Sequence, residues 1–304
     1  MSEGQKPAIG FIGLGTMGAP MARNVLKGGY RMTVFDINAN TVADLVRAGA
    51  AAAGSAREVA AVSDIIITML PDAPDVERVV LGADGVIEGI RHGAILIEMS
   101  TIDPGTTQRV AAALSERGVR MLDSPVGKTA DHAVAGTLTL MVGGDAALLD
   151  RMRPILACMG KDFFHCGTIG MGQAMKLSNN LLASIIGSAC NEVLVSGVKA
   201  GLKLELMLDV MRTTMAWNNQ LAVNMPKKAF AGDFEPGFMV KLAHKDVRLA
   251  LALARQSGVE PRVGESAYAA LESAMAAGMG EKDTAALLLL QERQAGVTVR
   301  LQRG

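Results

Sequence analysis

Half of the 304 residues are apolar, and 30 basic side chains balance 30 acidic ones. A chain of that length builds one large domain or two ordinary ones. Its zero net charge removes the usual basis for a nucleic-acid or polybasic membrane partner. Aromatics at 3% leave no stacking platform for bases. The three cysteines, Cys158, Cys166 and Cys190, form no CxxC pair, so neither a metal centre nor a disulfide framework is indicated and they read as small buried hydrophobes. Residues 1–7 lack the basic flank and apolar run of a signal peptide, and the longest uncharged stretches, such as 177–191, stop short of a membrane span. A soluble, cytoplasmic protein is the expectation.

In chain order, 8–12 reads as a strand, 17–27 as a helix and 31–35 as the next strand. Segments 64–69 and 94–98 are further strands, nearly all apolar, and 120–123 and 137–142 continue the series. Continuously apolar strands imply burial on both faces, hence a mostly parallel sheet with helices on either side. From Gly172 onward the periodicity is helical: 179–201 reads as one long helix, and 203–215, 239–256, 263–279 and 282–292 as others. The expectation is a doubly wound α/β Rossmann domain over residues 1–166, then an all-helical substrate and oligomerisation domain over 167–304 that includes the long linking helix.

Gly13-Leu14-Gly15-Thr16-Met17-Gly18 follows the first strand and opens the first helix. Its glycines allow a tight turn, close approach of backbone to a pyrophosphate and close helix–strand packing, and free amides at the helix start hold phosphates. The alternative is a glycine-rich turn without a ligand. Asp36 ends the second strand, placed to bond adenosine ribose hydroxyls and to repel a 2′-phosphate. Ile37 and Asn38 supply no arginine to reverse that, so NAD is expected over NADP; a strand-end cap is the other reading. Met69-Leu70-Pro71 and Ser100-Thr101 stand at carboxyl ends of strands, where such sheets bind ligands.

The segment Asp123-Ser124-Pro125-Val126-Gly127-Lys128-Thr129 reads as a small-residue loop with exposed amides, a lysine and a hydroxyl, suited to a carboxylate or sulfonate. Composition alone favours a strand-ending turn with a solvated lysine. In Gly170-Met171-Gly172-Gln173-Ala174-Met175-Lys176-Leu177-Ser178-Asn179-Asn180, helical spacing puts Lys176 on one side with Asn179 and Asn180. A lysine near the positive start of an otherwise uncharged helix is one that can trade a proton. Lys245 and Asp246 read either as a surface pair of little worth or as a second charge that helps keep Lys176 neutral. Residues 217–220, Trp-Asn-Asn-Gln, are candidates for a pocket wall or an interface turn.

With the glycine fingerprint, the Ser-Pro-Val segment, the Gly-x-Gly-x-x-x-Lys-x-x-Asn-Asn run and the Lys-Asp pair in order, the chain resembles the β-hydroxyacid dehydrogenase family from Ile9 to its last helices. That family includes 3-hydroxyisobutyrate dehydrogenase and tartronate semialdehyde reductase. The resemblance implies Lys176 as catalytic acid/base with Asn180 as its partner, and Thr101 and Lys245 beside the nicotinamide. It further implies Ser124, Gly127, Lys128, Thr129 and Asn179 on the substrate, no metal, and a homodimer or homotetramer. Most of the family has Ser-Gly-Gly where this chain has Gly127-Lys128-Thr129, and a basic residue followed by Thr is similar to sulfolactaldehyde reductase, which has arginine there. The expected substrate is a small anionic hydroxy acid or semialdehyde, with sulfolactaldehyde first and tartronate semialdehyde or 3-hydroxyisobutyrate as alternatives. The rivals are an imine reductase, which lacks this lysine, and a non-catalytic dinucleotide-binding protein.

Overall fold

A computed structural model describes residues 6–301; the expectation placed on residues 1–5 lies outside them. The chain forms two compact units, Met1–Lys176 and Leu177–Gly304. The first is built on a sheet of β1 (Ile9–Ile12), β2 (Met32–Phe35), β3 (Ala51–Ala52), β4 (Ile65–Thr68), β5 (Ile95–Glu98), β6 (Arg120–Asp123), β7 (Val126–Gly127), β8 (Leu138–Gly143) and β9 (Gly160–Gly167). Strands β3, β2, β1, β4, β5 and β6 lie side by side in that order, all parallel, the order of a doubly wound dinucleotide-binding sheet. Strand β8 runs antiparallel to β6 and β7 and parallel to β9.

The apolar strand runs behave as their pattern requires. Ile9, Phe11, Ile65, Ile67, Ile95 and Ile97 enter one core, while Ile66 and Leu96, on alternate positions, enter another on the opposite face. β9 was not expected. Its Lys161-Asp162-Phe163-Phe164-His165 run is mostly exposed, with neither alternation nor a continuous apolar stretch, and only its pairing with β8 makes it a strand.

The second unit is helical. Its main helices are the rest of Met171–Lys199, then Leu204–Arg212, Val240–Gln256, Arg262–Ala276 and Leu287–Ala295, and a π-helical turn at Gln220–Asn224 was not foreseen. One apolar cluster gathers Leu194, Leu204, Leu208, Leu221, Met225 and Phe230, and another gathers Val240, Val247, Leu251, Leu271 and Leu287. Among the described residues one helix, Met171–Lys199, has the length and apolarity to cross a membrane, unlike the shorter stretch read from sequence. It starts eight residues before the expected 179, and the first unit extends to Lys176 rather than 166. Both shifts have one cause: the first turn of this helix is anchored to Asp123 and Glu98 of the sheet.

Candidate active site

The glycine turn leaves β1 at Gly13, whose φ of +94° suits glycine. A Cβ there would strike the Met69 carbonyl, and one on Gly18 would strike the Gly13 carbonyl, so both glycines are needed for turn and helix to close up. Gly15 differs, with nothing within 4 Å of its Cβ direction. The amides of Gly15, Thr16 and Met17 find no acceptor among the described residues. Open space over exposed amides at the start of helix Gly18–Lys27 fits a pyrophosphate.

Leu14 contributes differently. Its side chain is buried in the core and its amide donates to Asp36 Oδ2 at 2.6 Å. Asp36 Oδ1 accepts from Asn38 N at 2.7 Å. Asp36 therefore ties the glycine turn to the end of β2, and each oxygen keeps a lone pair for a ribose hydroxyl.

At the next strand ends, Met69 N donates to Ile12 O at 2.9 Å and Leu70 N to Ser100 Oγ at 2.8 Å, while Pro71 is exposed. Half-buried Thr101 lies between two peptide groups held by one side chain. Gln173 Nε2 donates to Ser100 O at 2.8 Å and to Glu98 Oε2 at 3.0 Å, and its Oε1 accepts from Ile102 N at 3.1 Å. Ser100 N completes the knot on Glu98 Oε1 at 2.8 Å. Beside it, Asp123 accepts from the amides of Gly170 at 2.7 Å and Gln173 at 3.0 Å, capping the long helix from across the sheet. Burial pushes the Asp123 carboxyl above its usual range, outweighing the amide bonds that favour its charge.

Sequence reading missed Glu98 and Gln173. A glutamate closing the apolar run Ile95-Leu96-Ile97 was the available signal, because a carboxylate at such a position needs buried donors. The knot also places Lys176, which follows Gln173 by three residues on the same helix.

The segment after β6 departs from the exposed loop expected. Asp123 to Gly127 are buried, and Val126 and Gly127 pair with Leu140 and Thr139. The Ser124 hydroxyl is enclosed with no hydrogen-bond partner among the described residues. Lys128 is exposed but bonded: its Nζ donates to Thr137 O at 2.8 Å and to Asp162 Oδ2 at 2.9 Å. Thr129 is exposed, its Oγ1 2.9 Å from His132 Nδ1.

Lys176 and Asn180 lie one turn apart, each 8% exposed. Within the second unit, Asn180 Nδ2 donates to Asp246 Oδ2 at 2.6 Å, and its Oδ1 accepts from exposed Asn179 at 3.1 Å. Asn180 thus retains one amide proton and one lone pair. Lys245 Nζ stands 3.3 Å from Asp246 Oδ1, their side chains 13% and 4% exposed, so this is a buried pair and not a surface one.

Asn218 Oδ1 accepts from the amides of Gln220 and Leu221, and Gln220 Nε2 donates to Ala183 O. Trp217 packs on the Leu194 cluster under the Arg212 guanidinium, so this turn has a structural role in its own unit. Burial pushes all three thiols up; Cys190 is buried as expected, whereas Cys158 and Cys166 are half-buried.

Known proteins resemble the chain over most of its length. Residues 8–170 match the NAD-binding domain of 6-phosphogluconate dehydrogenase, and residues 170–290 match the NAD-binding family of NADP-dependent 3-hydroxyisobutyrate dehydrogenase. The chain is 39% identical to 2-(hydroxymethyl)glutarate dehydrogenase of Eubacterium barkeri, across 96% of this chain and 97% of that one. It is also 39% identical to 3-sulfolactaldehyde reductase of Escherichia coli, across 97% and 99%. The solved structure of Mycobacterium tuberculosis 3-hydroxyisobutyrate dehydrogenase with L-serine superposes with a TM-score of 0.88 at 32% identity, covering 94% of this chain and 99% of that one. The chain therefore belongs to the 3-hydroxyisobutyrate dehydrogenase (β-hydroxyacid dehydrogenase) family, and it is an NAD(P)-dependent oxidoreductase acting on CH–OH groups.

Proposed function

We propose that the protein is an NAD-dependent dehydrogenase of short anionic 3-hydroxy acids and their semialdehydes, with Lys176 as general acid/base and Asn180 as its partner. The observation that carries this reading is a lysine 8% exposed in the first turns of a helix, three residues after the side chain that fixes both peptide groups around Thr101. Bound nicotinamide supplies or accepts the hydride. The turn of residues 13–18 would hold the pyrophosphate, Asp36 the adenosine ribose, and Met69 to Pro71 and Thr101 the rest of the cofactor, and we assign Lys245 to cofactor binding as well. Asp36 also favours NAD, because its carboxylate repels a 2′-phosphate and neither Ile37 nor Asn38 offers a cation.

In the reducing direction Lys176 Nζ gives a proton to the nascent alkoxide; in oxidation it removes the hydroxyl proton. The remaining amide proton of Asn180 orients the reacting oxygen. The acid group docks on the 124–129 segment, through Gly127, Lys128 and Thr129, which presents the reacting carbon in one orientation. Sulfolactaldehyde is the substrate we place first, on the strength of Lys128 and the sulfolactaldehyde reductase relative, ahead of tartronate semialdehyde and 3-hydroxyisobutyrate.

NADH oxidation with sulfolactaldehyde and tartronate semialdehyde side by side tests the substrate: a tenfold or greater preference for the sulfonate supports the first choice, and the reverse transfers it to the carboxylate. Lys176→Ala should lower kcat by roughly 10²–10⁴-fold with NADH affinity retained; unchanged turnover would sink the assignment. Leu182 and Val193, exposed on the long helix, are the face we assign to a second copy of the chain, tested by solution mass.

A further inference from the structure

The acid-docking segment contains a charge pair that none of the matched relatives' names or the expected chemistry accounts for. Register brings it together: β7 sets Gly127 beside Thr139, and β9 sets Asp162 beside the same Thr139. Lys128 follows β7 with φ +79°, a left-handed conformation unusual for a lysine. Its ammonium then meets Thr137 O and Asp162 Oδ2, and Thr139 Oγ1 also donates to that oxygen at 3.4 Å. The ammonium beside it holds the Asp162 carboxyl below the usual range, with Lys161 adding a smaller pull.

We propose that Asp162 is a specificity-determining residue: its carboxylate competes with the acid group of the substrate for the Lys128 ammonium, and so sets how strongly the site takes an anion. The proposal rests on the reading that the 124–129 segment receives the acid group. The Lys128 and Asp162 side chains are 35% and 51% exposed, and a pair so open to water is weak enough for an arriving anion to exchange with it. Three protons on the ammonium allow the anion either to displace Asp162 or to join it. Both routes have one sign, since the neighbouring carboxylate opposes a second negative charge. A dianionic head meets that opposition more strongly than a monoanionic one.

The test is a double-mutant cycle on the full-length enzyme. Asp162→Asn should lower KM for sulfolactaldehyde or tartronate semialdehyde by roughly threefold at low salt, the scale of an exposed charge contact, with kcat unchanged. The gain should shrink in about 1 M salt, where screening acts within about 3 Å. Lys128→Met should raise KM, and adding Asp162→Asn to it should lower KM by less than Asp162→Asn does beside Lys128. If Lys128→Met raises KM while Asp162→Asn leaves or raises it, competition is overturned though Lys128 still reads the acid. If Lys128→Met leaves KM unchanged, the proposal falls at Lys128 itself. Calorimetric binding of 2,3-dihydroxypropanesulfonate to the four proteins gives the same cycle without turnover. Tighter binding by Asp162→Asn supports the competition even if no aldehyde is reduced, and equal binding by all four overturns it.

Discussion

Two polar clusters in the first unit use similar groups to opposite ends. Glu98, Ser100, Asp123 and Gln173 are fully buried and bonded to backbone on both the strand ends and the long helix. Lys128, Thr129, His132 and Asp162 stand at the surface, bonded mainly to one another. In the first cluster every broken bond strands a group away from water, so the geometry around Thr101 and the start of the Lys176 helix is held hard. In the second, water replaces any lost partner, so its members are free to trade contacts with a ligand. Burial, more than residue type, separates a fixed frame from an adjustable surface cluster.

The comparison can be broken most forcefully at Gln173. Gln173→Leu removes the bonds that Gln173 makes to Glu98 Oε2, Ser100 O and Ile102 N, and should cost about 3 kcal/mol of unfolding free energy in urea. It should also lower kcat by about tenfold, because both peptide groups around Thr101 lose their anchor. A variant as stable and as active as the parent would show that the knot fixes nothing.

Asp123→Asn comes next, at about 2 kcal/mol near neutral pH, since an amide NH₂ would face a backbone donor. It carries a pH signature. Burial raises the folded carboxyl above its unfolded value, so stability from this group is fully present below about pH 3.9. It is lost as pH rises through the folded value. The parent's advantage over Asp123→Asn should therefore be widest in acid and narrow toward neutrality in denaturation series. A gap that widens with pH would reverse the sign of the shift.

The exposed cluster predicts smaller numbers. Lys128→Gly relieves a left-handed backbone while losing an exposed ion pair and gaining unfolded-state freedom, so stability should stay within about 1 kcal/mol. Smaller still, Arg153→Ala removes an exposed one-turn pair with Asp150 and should change unfolding free energy by less than about 0.5 kcal/mol.

The contrast also explains what could be read in advance. The glycine turn was legible because its chemistry is local: three glycines, a strand before and a helix after. Asp36 was legible for the same reason, although its bond to the Leu14 amide was not. The start of the long helix was misread because its cap is Asp123, 47 residues away from Gly170 and on another element. β9 was missed because an exposed edge strand carries no burial pattern of its own. Asp246 is legible only as a possible surface charge, because nothing in Lys-Asp tells that it will be enclosed beside Asn180.

Sequence alone determined the mostly parallel sheet, the strand, glycine turn and helix that open it, and the helical character of the second half, since each rests on periodicity or on spacing within a short stretch of chain. Tertiary structure alone decided which polar side chains are partners: Gln173 with the flanks of Thr101, Asn180 with Asp246, Lys128 with Asp162. The physical reason is that a hydrogen bond or ion pair depends on distance in space and on exclusion of water. Strand register and packing fix both among residues far apart in the chain.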